Sequence, residues 1–304
     1  PKDSEQRGFG KLVTERSLQD LVALGWEDGP VAAELAIPGS PPRLVLAQLA
    51  AQGAAGGAVL LMHDVTEVRQ LENIRRDFVA NVSHELRTPV SVVSTCSETL
   101  LDGALEEPDR ARDFVGRIAR NAERLGRLIA DLLELARLEA RAEDPLPDEV
   151  RLGEVLGSVL ERLGPDASEI VFSRIDDSMV VMGERHGLEL ALGNLLDNAI
   201  KYTPLGGRVF VNARELGGVT TVEIIDEGPG IDPPYRERVF ERFYRVDPGR
   251  SRAMGGTGLG LSIVKHAITT MGGTVGVRGG DAGGSVFWIQ LTSAIGEQTR
   301  NQDA

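Results

Sequence analysis

The chain has 304 residues, of which 41% are hydrophobic and 26% are charged, and it carries a formal net charge of −13. This length allows two or three domains, and the composition is ordinary for a globular protein. The acidic balance argues against nucleic acid as a partner, because phosphate backbones attract basic surfaces. The single cysteine, Cys96, excludes an internal disulfide and fits a reducing compartment.

Residues 1–66 are predicted to form a partial α+β domain. Ser17–Leu35 is predicted to be helical, and two short strands, Leu44–Leu49 and Ala58–His63, flank the turn-rich segment Gln52–Gly57. The end of this region resembles the last strand and exit of a PAS sensor domain, in which an Asp-x-Thr turn begins the output helix. We therefore expect an incomplete PAS-like sensor domain here.

Residues 67–142 are predicted to form a helical hairpin, with Pro108 in the first turn of its second helix. Apolar residues recur at spacings of three, four or seven, as in helices with one apolar stripe. The stripes comprise Leu71, Ile74, Phe78, Val82, Leu86, Val93 and Leu100, and then Phe114, Ile118, Leu125, Leu128, Leu132, Leu135 and Leu138. Because each helix exposes one stripe, we expect a homodimer in which two hairpins form a four-helix bundle.

Residues 148–293 are predicted to form a two-layer α/β sandwich with mostly non-parallel strands. The predicted helices are Leu152–Leu163, Glu184–Tyr202 and Gly258–Met271. The predicted strands are Ile170–Ile175, Met179–Met182, Arg208–Arg214, Thr220–Asp226, Thr274–Arg278 and Ser285–Leu291. Arg141–Glu149, with two prolines, is predicted to be a linker, Asp247–Gly258 a mobile loop, and residues 294–304 a frayed polar tail.

A group of polar residues stands out on the first helix of the hairpin. His84 is predicted to point away from the apolar stripe, and Thr88 lies one turn further along the same face. Glu85 is suited to orient the imidazole through one ring nitrogen, which leaves the other nitrogen basic and free to attack. Pro89 cannot donate a backbone N–H and is expected to loosen the helix. A surface histidine beside a tolerated proline kink is the plainer alternative.

The run 83–89, Ser-His-Glu-Leu-Arg-Thr-Pro, resembles in full the phosphoacceptor box of sensor histidine kinases of two-component systems. The resemblance implies that His84 is the phosphoacceptor, Glu85 the general base and Thr88 a phosphatase residue. It is closest to phosphate-responsive and related membrane-tethered kinases. It therefore suggests a membrane anchor upstream of Pro1, with this chain as the cytoplasmic portion of an inner-membrane-anchored bacterial protein.

The predicted helix Glu184–Tyr202 carries a polar stripe whose chemistry suits a nucleotide. Asn194 and Asn198 are four residues apart, and an amide oxygen is a suitable ligand for Mg²⁺, which takes its other oxygens from phosphates and water. Lys201 adds a positive charge for a phosphate, and Tyr202 adds a flat aromatic surface against which a nucleotide can pack. The alternative for this motif alone is an amphipathic helix with a solvated polar face.

Two glycine-containing motifs follow further along the chain. Asp226 ends a predicted strand, where it can accept a hydrogen bond from an exocyclic amine such as that of adenine, and Gly228 and Gly230 let a base approach the backbone. The second motif, 255–261, leads into a helix, and bare backbone N–H groups at a helix start favour anions. Alone, the first motif is a common turn and the second is weak evidence, with the wrong spacing for a P-loop.

Together, the order and spacing of these three motifs resemble the Bergerat-type ATP-binding fold of histidine kinases, across essentially all of residues 150–293. The resemblance implies ATP and Mg²⁺ as cofactors, with Asn198 as the metal ligand and Asp226 on the adenine amine. It further implies phosphate contacts from Arg245 and from a flexible lid over residues 243–257. The remaining nucleotide residues implied are Asn194, Lys201, Tyr202, Gly228, Gly230, Gly256, Thr257, Gly258, Leu259 and Gly260.

We therefore expect a multidomain protein histidine kinase that phosphorylates itself on His84 and then an aspartate in the receiver domain of a response regulator. Phosphatase activity toward that regulator is also expected, and a phosphatase-dominant enzyme stays open. One alternative is an ATPase of the gyrase, Hsp90 or MutL kind, which needs no acceptor hairpin. Another is a degenerate scaffold, which would be expected to have lost Asn198, Asp226 or the lid glycines; all are present.

Overall fold

The structure is a computed structural model that describes residues 31–52, 57–140, 148–176, 178–247, 249, 256–281 and 283–294. The chain divides after Ser83 into two compact units, residues 1–83 and 84–304. The long helix α1, Thr66–Leu101, runs from the first unit into the second. Among the described residues, no helix combines the length and apolarity needed to cross a membrane.

The first unit contains a three-stranded antiparallel sheet in the order β1-β2-β3, with β1 at Val31–Ile37, β2 at Arg43–Gln52 and β3 at Gly57–Asp64. Leu35, Ala47 and Leu49 form its small core. The two predicted strands of this region are confirmed. The predicted helix Ser17–Leu35 is wrong over residues 31–35, which form β1, and residues 17–30 lie outside the described residues. Pairing along β2 therefore overrides the helix preference of this alanine-rich segment.

The Asp-x-Thr turn at the end of β3 positions the start of α1. Thr66 donates its hydroxyl and its backbone N–H to Asp64 Oδ1, at 2.6 and 3.0 Å. The Thr66 hydroxyl oxygen also accepts the backbone N–H of Leu44 at 2.8 Å, which ties the turn to β2. The hydrogen bonds from Thr66 lower the pKa of Asp64. The turn therefore connects sheet to helix through several hydrogen bonds.

The hairpin helices are α1 and α2, Pro108–Ala140, joined by a 3₁₀ turn at Ala104–Glu106. In the second unit, the buried hairpin side chains come from the predicted stripes or lie next to them; they are Pro89, Cys96, Leu100, Ala104, Leu128, Leu135 and Leu138. Several apolar side chains of the hairpin are exposed in the single chain: Val90, Leu101, Leu105, Val115, Ile129 and Leu133. These exposed side chains are consistent with a hairpin whose apolar surface is covered by a further protein surface.

The α/β domain follows the hairpin. Its helices are α3 (Leu152–Leu163), α4 (Pro165–Ile170), α5 (Arg185–Tyr202) and α6 (Gly260–Thr270). Its strands are β4 (Asp148–Arg151), β5 (Val171–Arg174), β6 (Val180–Gly183), β7 (Val209–Leu216), β8 (Val219–Asp226), β9 (Thr274–Gly279) and β10 (Ser285–Thr292). Short 3₁₀ turns occupy Pro233–Tyr235 and Arg238–Phe240.

The main sheet of this domain has the strand order β5-β7-β8-β10-β9, and β4 pairs separately with β6. β5 and β7 are parallel, whereas the other neighbours are antiparallel, as predicted. Side chains of α5 and α6 pack on the sheet, and the core includes Leu192, Leu196, Val222, Ile224 and Ile268. This helix layer over a sheet places the ends of α5, β8 and α6 close together.

Most boundaries in this domain differ from the prediction by one or two residues, and three differences have a clear structural reason. Asp148 and Glu149 belong to β4 rather than to a linker, because Val150 is buried and the strand pairs with β6. Residues 165–170 form a short helix that starts at Pro165, so the following strand begins one residue later than predicted. Ala294 is not frayed, because its backbone N–H donates to Val180 O at 3.0 Å. Residues 295–304 and most of the predicted mobile loop lie outside the described residues.

Candidate nucleotide and phosphoacceptor site

A cavity of about 470 Å³ opens where α5, the end of β8, the start of α6 and helix α2 meet. Most of the sequence-predicted nucleotide residues line it: Asn194, Asn198, Lys201, Tyr202, Asp226, Gly230, Arg245, Gly256, Thr257, Gly258 and Gly260. Within the described part of the chain, His84, Glu85, Thr88, Gly228 and Leu259 are not in its wall. The structure therefore gathers residues that lie far apart in sequence.

Asp226 is the most buried charged group of the cavity, with 4% of its surface exposed. It ends β8, and its Oδ1 accepts backbone N–H groups from Gly228 at 2.8 Å and Ser285 at 3.2 Å. Burial raises the pKa of Asp226, and the two backbone N–H groups oppose that rise. One carboxylate oxygen is thus fixed by the backbone, which orients the other for a hydrogen-bond donor in the cavity.

The polar stripe of α5 forms one wall. Asn194 donates through Nδ2 to Leu190 O at 2.9 Å, and this orients its amide oxygen toward α6. A Cβ at Gly260 would lie 2.6 Å from that oxygen, so the Asn194 side chain would have to move if this residue were not glycine. Lys201 is paired with Asp197 on the same helix. The wall thus offers amide oxygens and one ammonium group.

The turn before α6 is held by a glycine in the left-handed region. Gly258 has φ +78°, and a Cβ there would lie 2.9 Å from the Cα of Phe243. The backbone N–H of Phe243 donates to Gly258 O at 2.7 Å, and Leu259 N donates to the Thr257 hydroxyl at 3.3 Å. The turn therefore directs the first backbone groups of α6 at the cavity, where a helix N-terminus favours an anion.

Arg245 connects the cavity to the acceptor helix. Its side chain is 6% exposed, and Nη2 donates to Gly256 O at 2.9 Å. The same Nη2 lies 3.2 Å from Oε2 of Glu85. Arg124 of α2 donates to that oxygen at 2.7 Å. Glu85, the residue next to His84, is therefore shared between the hairpin and the nucleotide domain.

His84 is exposed on α1, as predicted from its position relative to the apolar stripe. Thr88 is also exposed, and its hydroxyl donates to the backbone oxygen of His84 at 3.2 Å. Pro89 is buried and lies within a helix that continues to Leu101. The acceptor turn thus presents an imidazole and a hydroxyl to solvent on the same face.

Helix α2 contributes residues that sequence reasoning missed. Arg127 and Asp131 line the cavity, and Arg124 holds Glu85. Thr257 donates its hydroxyl to Asp131 Oδ2 at 2.6 Å. The signal in the sequence is a polar line at positions 124, 127 and 131, spaced three and four residues apart beside the leucine stripe. That line indicates that a second face of the helix packs against another part of the protein, but it does not identify that part.

Two family models match the chain. Residues 74–141 match the model described as "His Kinase A (phospho-acceptor) domain", which contains the acceptor turn. Residues 183–295 match the model described as "Histidine kinase-, DNA gyrase B-, and HSP90-like ATPase", which contains the cavity walls from α5, β8 and α6. The chain is also 39% identical over 241 residues to the sensor-like histidine kinase SenX3 of Mycobacterium tuberculosis.

The chain belongs to the sensor histidine kinases. The match to SenX3 covers 78% of this chain and 58% of SenX3, so the chain spans somewhat more than half the length of that relative. Family membership confirms the family that was predicted from the run 83–89 and from the three nucleotide motifs. It also favours this family over the gyrase-like ATPases, because the acceptor hairpin precedes the ATPase domain.

Two solved histidine kinases are similar in structure. Full-length ShkA in complex with AMPPNP aligns with a TM-score of 0.51 and 30% identity, covering 72% of this chain and 46% of ShkA. Histidine kinase ThkA in complex with the response regulator protein TrrA aligns with a TM-score of 0.57 and 20% identity, covering 91% of this chain and 83% of that chain. The predicted fold class, a helical hairpin followed by an α/β ATP-binding domain, is thereby confirmed.

Proposed function

We propose that this kinase transfers the γ-phosphoryl group of ATP to His84 and then to an aspartate of a response regulator. One observation carries the proposal: the cavity that gathers the nucleotide motifs contains Arg245, which lies 3.2 Å from the carboxylate beside His84. Acceptor turn and nucleotide cavity therefore meet within one compact unit.

Different parts of the cavity wall suit the adenine and the phosphates of ATP. Asp226 would accept the adenine amine at the buried end, since its fixed carboxylate is a strong acceptor in a dry site. The phosphates would lie toward the start of α6, near Lys201 and Arg245, where backbone dipoles and cations favour negative charge. Tyr202 also lines the cavity and would pack against the nucleotide.

The donor set also fits Mg²⁺. Asn198 lines the cavity with a neutral amide oxygen, and the described residues hold no cluster of three His, Cys, Asp or Glu side chains able to bind a metal. Such a set suits a cation that takes most of its ligands from water and phosphates. Asn198 would hold Mg²⁺, with Asn194 nearby, and the ion would neutralise phosphate charge.

In the transfer step, the free imidazole nitrogen of His84 would form a bond to the γ-phosphorus while the bond to the bridging β,γ-oxygen breaks and ADP leaves. Glu85 would accept a hydrogen bond from, and finally the proton of, the other ring nitrogen. Arg124 and Arg245 both contact Oε2 of Glu85 and hold this carboxylate between the hairpin and the α/β domain. Because His84 lies outside the described cavity wall, we expect the α/β domain to move relative to the acceptor turn before transfer.

A response regulator is proposed as the partner, with Thr88 assisting the reverse reaction. The named complex of ThkA with TrrA supports such a partner for this fold. Thr88 is exposed one turn from His84, where its hydroxyl would orient water for attack on the regulator's phosphoaspartate. The face of α1 that carries His84 and Thr88 would then serve both the kinase and the phosphatase activity.

The wider organisation is proposed along the same lines. Exposed apolar side chains on both hairpin helices support a homodimer. The Asp64–Thr66 turn supports a partial PAS-like domain before the hairpin. We propose domains at 1–66, 67–142 and 148–294, with a polar tail after Ala294, and attachment to a membrane.

The test is autophosphorylation with γ-labelled ATP and Mg²⁺, comparing the wild type with His84→Gln and Asn198→Asp. We expect acid-labile, base-stable label on the wild type and loss of at least about a thousandfold in His84→Gln, because no other side chain replaces the nucleophile. Asn198→Asp should lose most of the label, because a carboxylate adds charge beside the phosphates. His63→Gln and Asn212→Asp are the matched controls, since neither residue lines the cavity.

Labelled protein is then mixed with purified receiver domains, and transfer and loss of label are followed. Label that persists in His84→Gln would show that the acceptor is another residue. ATP binding without label would instead favour a scaffold, and phosphate release without label would favour an ATPase. Slower dephosphorylation of a receiver domain by Thr88→Ala would support the phosphatase role.

A further inference from the structure

Asp131 brings a carboxylate from the hairpin into the nucleotide cavity. Its Oδ2 accepts the hydroxyl of Thr257 at 2.6 Å, directly before the helix start that faces the cavity. That hydroxyl oxygen in turn accepts Leu259 N at 3.3 Å. A negative charge on α2 therefore lies beside the place where the proposed function puts the phosphates.

The groups that face Asp131 carry charges of both signs. Arg127 and Lys201 attract it, but Lys201 is already paired with Asp197, whose carboxylate opposes Asp131. Burial raises the pKa of Asp131; the hydroxyl of Thr257 and the charges of Lys201 and Arg127 oppose the rise, and Asp197 adds to it. A phosphate group placed here would meet two carboxylates, Asp131 and Asp197.

Further contacts keep α2 packed against the nucleotide domain. Glu134 lies 3.1 Å from Nε2 of His186 at the start of α5, and Glu139 is paired with Arg242. In each pair, the acidic side chain comes from the hairpin and the basic one from the α/β domain. Asp131 is therefore held at the cavity by the packing of a whole helix rather than by Thr257 alone.

We propose that Asp131 is a positioning residue that makes this packing of α2 and the binding of nucleotide phosphates mutually antagonistic. The inference rests on the proposed ATP site and adds a residue to it. Like charges a few ångströms apart in a partly buried site repel strongly enough to change affinity roughly tenfold to a hundredfold. By linkage, phosphates that are repelled by Asp131 must loosen α2 by the same factor.

This antagonism has a use in the proposed reaction. Glu85 is engaged by Arg124 and Arg245 while the hairpin is packed against the domain, and His84 is outside the cavity wall. Nucleotide entry would release Thr257 from Asp131 and favour separation of α2 from the domain. The substrate itself would thus promote the movement that transfer to His84 requires.

The experiment measures the affinities of adenosine, AMP and ADP for the full chain without Mg²⁺, in the wild type and in Asp131→Asn. Asparagine keeps the shape and an oxygen for the Thr257 hydroxyl but removes the charge. We expect ADP to bind about tenfold more tightly to the variant, AMP to gain less, and adenosine to change less than about twofold. Asp113→Asn is the matched control, because Asp113 pairs with Arg117 on the exposed surface of the same helix.

A gain that is equal for adenosine and ADP would overturn the inference, because it would show a general change of the cavity rather than charge. No gain for any ligand would also overturn it. If Asp131→Asn folds poorly, Asp131→Ala removes the same charge. It should show the same ranking of affinity gains, largest for ADP, smaller for AMP and smallest for adenosine. If wild-type protein bound neither ADP nor adenosine, the proposed ATP site itself would be wrong.

Two further readouts separate positioning from a structural role. The difference between wild type and Asp131→Asn should shrink as the pH is lowered through the raised pKa of Asp131, because protonation removes the charge. Amide hydrogen exchange over residues 127–139 should speed up when ADP binds the wild type, and less so in the variant. Exchange that slows equally in both proteins would contradict the antagonism.

Discussion

In the nucleotide cavity, Asp226 is buried and held by two backbone N–H groups, and Gly258, with φ +78°, permits a close approach to the backbone of Phe243. At the acceptor turn, His84 and Thr88 are exposed. The cavity is assembled from residues distant in sequence, whereas the turn is a run of consecutive residues on one helix. The two sites of the proposed reaction therefore differ in how firmly their side chains are held.

This difference follows from what each half must do. A nucleotide site gains affinity when its groups are fixed before the ligand arrives, because little ordering remains to be done on binding. In the proposed reaction, His84 must meet first a nucleotide and then a regulator, so its side chain has to stay accessible to both. Substitutions in the cavity should consequently disturb binding, and substitutions on the turn should disturb later steps.

The largest expected effect on binding is that of Asp226→Asn. An amide in place of the carboxylate turns a donor toward the adenine amine, so we expect ADP affinity to fall about a hundredfold, in the range for an unpaired buried polar group. Isothermal titration with ADP measures this. Glu227→Gln is the control, because its side chain is exposed next to Asp226. An equal loss in both variants would mean that net charge, not adenine recognition, decides affinity.

Gly258→Ala should weaken ADP binding about tenfold, because φ +78° and the contact with Phe243 strain any side chain here. Gly157→Ala is a matched control within α3: a Cβ there meets no atom within 4 Å, so the substitution should be neutral or stabilise by about 0.5–1 kcal/mol. Thermal unfolding and ADP titration are measured on both. Unchanged ADP affinity in Gly258→Ala would show that the turn is less rigid than the cavity requires.

A smaller effect is expected from pH. In the proposed site, adenine recognition needs ionised Asp226, and burial raises the pKa of that group. Adenosine affinity should therefore be complete well above the raised pKa and fall as the pH drops through it, beginning at a higher pH than for an exposed aspartate. Adenosine titrations across this range, with Asp226→Asn as the pH-insensitive reference, test it. A wild-type profile parallel to that of the variant would place the titrating group elsewhere.

The smallest expected effect on binding is that of Thr88→Ala. Its hydroxyl bonds only the His84 backbone oxygen among the contacts described, and it lies outside the cavity wall. ADP affinity should change less than about twofold, within the usual effect of a surface substitution. A loss of ADP affinity as large as that of Gly258→Ala would end the distinction between a fixed cavity and an accessible turn.

Local sequence patterns predicted much of this molecule. The apolar stripes predicted the hairpin. Asp226 and Gly258 could be found because their motifs lie at a strand end and a helix start, and Asn194 because it belongs to the polar stripe of a helix. Asp131 could not be paired with Thr257, because 126 residues separate them and only the packing of α2 on α6 brings them together. Likewise, Val31–Leu35 has helix-favouring alanines, and its strand depends on β2.

One small feature of the fold affects how this domain can be combined with others. β4, where the α/β domain begins, pairs with β6, and Ala294, at its far end, donates to Val180 of the same strand. Both ends are thus fastened to one four-residue strand that lies outside the main sheet. A domain whose two ends lie together can be inserted into different proteins without disturbing its sheet, which suits a domain type that histidine kinases share with DNA gyrase B and HSP90.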